Sequence, residues 1–131
     1  MATVSQLRPK FSIPQLDATN IATAQLFRDR WHNRVTALGN CIDHLVNDHG
    51  MPEHAAETAA LQAYAEIESV NQKARIDVDA TTSHLVVLRS GDGRSTAFTV
   101  SDLLRLLYRA RQEGGAAVIE HSSRQPVVLE H

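Results

Sequence analysis

Between Cys41 and His54, the stretch CIDHLVNDHGMPEH places one thiol, three imidazoles and several carboxylates within fourteen positions. On a helix turning about 100° per residue, Cys41, His44 and Asp48 fall within about 60° of one another. A thiolate, an imidazole and a carboxylate so placed are the ligand types that tetrahedral zinc takes, and His54, just beyond the turn, would add a fourth. The spacing, however, contains neither an HxxxH nor a CxxC pair, and a lone cysteine cannot build a thiolate-rich site. The expectation is therefore no metal and no cofactor. His44 and Asp48 then form an i, i+4 pair, His49 complements a helix C-terminus, and His54 is solvated. Cys41 borders an apolar stripe, where a free cysteine is a small buried hydrophobe. As a nucleophile it would have His44 one turn away, but no orienting third group and no oxyanion site follow in the sequence. No catalytic residue is expected, nor is any G-x-S-x-G, P-loop or dinucleotide glycine pattern present.

The arginines are the second candidate group. Residues 1–80 hold seven Lys/Arg against ten Asp/Glu, whereas residues 81–128 hold six Arg against four Asp/Glu and no lysine. Arg105 and Arg109 are one helical turn apart, Arg111 flanks them, and Arg89, Arg94 and Arg124 come from the neighbouring segments. If they shared a face they would bind an anion, an acidic partner or nucleic-acid phosphates. The alternative is a solvated face with local ion pairs. Neither charge imbalance is large enough to require nucleic acid or a membrane surface.

These residues need elements to position them. Residues 1–16, with Pro9 and Pro14 among spaced apolar residues, suit an extended arm. From Asp17, a stripe of Ala24, Phe27, Trp31, Val35, Leu38, Ile42 and Leu45 predicts one long helix ending at His49-Gly50, with a possible bend at Gly39. Pro52 opens a second helix to about residue 76, whose inward face is Ala56, Ala60, Ala63, Ile67, Val70 and Ala74. Residues 17–76 thus read as an antiparallel helical hairpin. Two β-rich runs around GDGR then form a hairpin, Thr99 and Asp102 make a capping box for a third helix, Gly114-Gly115 stops it, and AAVIEH and QPVVL form a second hairpin. The fold class is α+β: a long N-terminal helical hairpin followed by a ββαββ unit over 84–128, a small antiparallel sheet with one helix. All of 17–128 is one domain, and Leu129 to His131 read as the start of a vector-derived tag.

Residues 99–129, TVSDLLRLLYRARQEGGAAVIEHSSRQPVVL, resemble the pattern of Phd/YefM antitoxins: a helix, a glycine, Val-Ile, a short basic turn, then Pro before apolar residues. The resemblance implies a dimeric DNA-binding antitoxin. It departs from the family in lying at the C-terminal end, in having one helix where two are usual, and in following a helical hairpin. None of the family's residues is carried over.

A composition of 43% hydrophobic and 21% charged residues is that of a soluble chain, and no apolar run approaches the roughly 18 residues that span a bilayer. One cysteine makes no internal disulfide, which points to the reducing cytoplasm. A helix of some 30 residues would be about 45 Å long and would outreach a sheet of short strands, so a second copy of the same hairpin is the expected cover for it. The expectation is a non-enzymatic protein-interaction or regulatory module, dimeric through its hairpin, with an unidentified protein partner. A DNA-binding regulator and a small-ligand or metal-binding protein are the alternatives.

Overall fold

The computed structural model describes residues 15–120 and 124–130, with only the backbone at Gln15 and Leu16. Most of the expected arm and of the turn around Ser122 to Arg124 lies outside the described residues. The order is α1 (Gln15–Arg28), α2 (Arg34–Asn47), α3 (Glu53–Glu68), β1 (Arg75–Ile76), β2 (Leu85–Arg89), β3 (Ser95–Thr99), α4 (Val100–Gln112), β4 (Ala116–Val118) and β5 (Val127–Leu129). The α+β class holds, but with three packed N-terminal helices in place of a two-helix hairpin, and with two separate sheets in place of one.

The long first helix is broken between Arg28 and Arg34. The Asn33 side chain accepts a hydrogen bond from the Thr36 N–H, capping α2, while the His32 N–H donates to Asp29 at 2.9 Å. Capping makes the break cheap, because a free helix N-terminus would leave donors unsatisfied. Folding back lets α1 lie against α2 and α3 through Ala18, Ala22 and Leu26, all buried. The expected stripe is thereby split: Leu38, Ile42 and Leu45 are fully buried, whereas Phe27 and Trp31 face solvent, Trp31 at 84% exposure. Gly39 is buried inside an unbroken α2 and makes no bend. The stop at Gly50 is as expected, with φ at +67°, where a side chain would be strained.

Alanines Ala56, Ala60 and Ala63 do form the inward face of α3, joined by Ala59. Small side chains let the helix backbones approach closely. The helix ends at Ser69, whose hydroxyl donates to the Ala65 carbonyl, several residues short of the expected end. Val70 is consequently outside the core, and the chain turns into β1, a strand the sequence pattern did not announce.

Strands β1, β2 and β3 form an antiparallel sheet in that order, with Leu85 opposite Thr99 and Arg89 opposite Ser95. The β2–β3 hairpin turns at GDGR as expected, Gly93 taking φ +89°. Thr99 and Asp102 form the capping box, each side chain accepting from the other's backbone N–H. Strands β4 and β5 pair separately, Ala116 opposite Leu129 and Val118 opposite Val127. Leu129 and Glu130, set aside as tag-derived by their sequence, take part in the fold: Leu129 in β5, and Glu130 through hydrogen bonds to α2.

The core is that of the three helices, sealed on one side by Ile119 and Val128 from the C-terminal hairpin. Because Leu38, Ile42 and Leu45 of α2 are covered within the chain, the long apolar stripe expected of the first helix is not left as one bare face. Among the described residues, no helix is long and apolar enough to cross a membrane.

Candidate functional site

The fold separates Cys41 and His54 from the His44–Asp48 pair. Cys41 points into the helical core, fully buried, its thiol 3.7 Å from the Ala22 carbonyl. Burial, and secondarily the negative charge of Asp29, push its pKa up to about 12. A thiol held protonated in this way is neither a nucleophile nor a ready metal ligand. His44 Nδ1 lies 2.7 Å from Asp48 Oδ2, the i, i+4 pair expected, and its ring meets His49 edge-on at 4.8 Å between centroids. His54 sits apart, accepting at Nδ1 from Arg124 Nη1 at 2.6 Å. Among the described residues, no three His, Cys, Asp or Glu side chains converge where a metal ion would sit.

The six arginines are likewise not one surface. Arg89 is paired with Asp77 at 2.7 Å on the three-stranded sheet, Arg94 with Asp92 at 3.8 Å beside the hairpin turn, and Arg124 contacts His54 near the start of α3. Asp77 also accepts from the Asp79 and Ala80 N–H groups, and Arg89 with these donors holds its carboxyl below the ordinary carboxylate value. Only Arg105 and Arg109 come together, lining a shallow cleft with Asp102, Leu106, Ala97 and Phe98. Arg111, on the other side of the helix, does not join them.

That cleft sets the orientation of α4. The helix borders this cleft with Asp102, Arg105, Leu106 and Arg109, and its apolar arc, about 200° wide at 100° per residue, is far broader than the stripe of about 100° that one-sided packing needs. None of its thirteen residues, all described, is buried. Leu104 is 59% and Tyr108 64% exposed, and Val100 and Leu103 accompany them.

The C-terminal hairpin repeats the situation. Side chains alternate between sheet faces, so Ala117, Ile119 and Val128 share one face and Val118, Val127 and Leu129 the other. The first face seals the helical core; the second is apolar and exposed. A further apolar patch lies at the helix break, where Phe27, Arg30, Tyr64, Ile67 and Glu68 line a groove beside Trp31. Arg30 covers part of it, its guanidinium 4.3 Å from the Phe27 ring centre.

Sequence reasoning weighed the thiol, imidazoles and arginines and passed over these apolar faces. The signals were present: a helix apolar over more than half its circumference, and strands apolar at successive rather than alternate positions. Comparison with family models, with curated proteins and with solved structures found no match to the chain.

Proposed function

We propose that this chain is a non-enzymatic protein-interaction module that works from its C-terminal unit. The observation that carries the reading is α4, a helix with a broad apolar arc, interrupted only by Arg111, and no buried residue. Monomeric proteins rarely leave contiguous apolar patches beyond a few hundred Å² exposed, and larger ones mark binding surfaces. The burial of Cys41 away from the His44–Asp48 pair, with His54 apart from both, lends a binding role more support than a catalytic one. A cytoplasmic location belongs to the same reading and rests on the lone cysteine.

The test is a photo-crosslinking residue in place of Tyr108, with the same residue in place of Glu66 on α3 as control. Crosslinking to a protein chain from position 108 and not from 66 supports the reading. No crosslink from either position would refute it.

A second reading, a DNA-binding regulator, is favoured by one observation, the shared cleft of Arg105 and Arg109. Binding through phosphates weakens steeply with salt. A gel-shift series in which affinity is absent, or indifferent to salt, removes this reading.

A further inference from the structure

Resting on the protein-interaction reading, we infer that the cleft beside β3 receives a phosphorylated side chain of the partner protein, a phosphate monoester held between Arg105 and Arg109. The two arginines stand one turn apart on α4 and line the cleft with Ala97, Phe98, Asp102 and Leu106. The neighbouring arginines are engaged elsewhere, Arg89 with Asp77, Arg94 with Asp92 and Arg124 with His54, while Arg111 faces the opposite side of the helix. Among the described residues, Arg105 and Arg109 have no hydrogen bond or ion pair of their own. Both guanidiniums keep their donors for a ligand.

Charge selects the ligand. Two guanidiniums about 6 Å apart along the helix axis match the charge of about −1.5 to −2 and the three acceptor oxygens of a phosphate monoester. A carboxylate brings one charge and is filled by a single arginine. Asp102 accepts from the Thr99 N–H and lies about 10 Å along the axis from Arg109, so the phosphoryl group sits toward the Arg109 end. Nucleic acid fits less well. Its phosphodiesters carry one charge each, and a surface making about 6–10 phosphate contacts needs more cations than the pair gathered here.

Size and surroundings select the source. At about 250 Å³ the cleft is smaller than the roughly 300–1,000 Å³ of sites that enclose a small ligand, so it covers one group and not a whole metabolite. Ala97, Phe98 and Leu106 give the carbon stem of that group an apolar floor. Tyr108, 64% exposed, is about 60° round the helix from Arg105, so the arginine flank runs directly into the apolar arc that receives the rest of the partner. Arginine clusters beside a binding surface recognise phosphorylated motifs in this way.

The test is an NMR titration of the full, isotope-labelled chain with phenyl phosphate, set against dimethyl phosphate and benzoate. Saturable shifts in α4 and β3 are expected with phenyl phosphate, with binding weakened at least about tenfold by Arg105→Gln or Arg109→Gln and unchanged by Arg111→Gln. All three positions are exposed, so circular dichroism of each variant should match the parent. Absence of saturable shifts, equal binding of dimethyl phosphate or benzoate, or an equal loss in Arg111→Gln overturns the inference. Crosslinking from position 108 in cell extract, with and without prior phosphatase treatment, separates the two levels of the argument. A protein crosslink lost after phosphatase agrees with a phosphorylated partner. A crosslink that survives phosphatase overturns the inference and leaves the interaction reading standing, and no crosslink at all removes both.

Discussion

The carboxylate of Glu130 accepts a hydrogen bond from the backbone N–H of Arg34 at 2.9 Å through one oxygen, and from that of Val35 at 2.9 Å through the other. A residue at the end of the chain thus supplies the negative charge that the N-terminus of α2 favours, and ties the last strand to the helical core. Replacing Glu130 by Ala removes two charge-assisted bonds and should cost about 1–2 kcal/mol of unfolding free energy. Glu130→Gln, which keeps an acceptor and loses the charge, should cost less. Urea denaturation of both variants checks the order; equal, negligible effects would mean that water replaces the carboxylate without loss.

Cys41 should resist alkylation in the folded protein and react only at the rate at which the core opens. The linkage follows from its raised pKa. Below the ordinary thiol value near 9.0, both folded and unfolded chains keep the proton and Cys41 leaves stability unchanged with pH. As pH rises from there toward about 12, the unfolded thiol ionises first and stability falls. Denaturation midpoints measured at neutral and alkaline pH should therefore diverge, and Cys41→Ala should lessen the divergence.

Asp77 predicts a loss at the acid end. Its carboxyl is held low chiefly by the Arg89 side chain, then by the backbone donors of the turn. A depressed folded pKa contributes stability that is complete above the ordinary carboxylate value and lost as pH falls through the folded one. A carboxyl-detected NMR titration should place the Asp77 midpoint below the ordinary 3.8, and Asp77→Asn should remove part of the acid dependence of unfolding. A midpoint at the ordinary value would mean that the Arg89 contact is not kept in solution.

Asn33 tests the helix break. Its side chain caps α2, so Asn33→Ala should cost about 1 kcal/mol, and Asn33→Asp should retain most of the stability. Thermal unfolding measures both. A stabilised Asn33→Ala would indicate that α1 and α2 prefer to run on as one helix.

What the sequence by itself determined was local. Gly50 and Gly93 stop or turn the chain because their φ values are closed to other side chains, and the Thr99–Asp102 capping box and the His44–Asp48 pair follow from spacing alone. The alanine face of α3 was legible for the same reason, since one helix's periodicity needs no partner to be seen. The break at Asn33 was not legible: no proline or glycine marks it, and it is favoured because folding back buries Ala18, Ala22 and Leu26, a gain that exists only once three helices meet. Strand β1 escaped notice because a two-residue strand has no pattern of its own and depends on β2 for its hydrogen bonds. The candidate site moved for a related reason. Whether Cys41 faces a cation or the Ala22 carbonyl, and which flank of α4 borders the cleft beside β3, is decided by which neighbour covers which face, and only the tertiary structure assigns the neighbours.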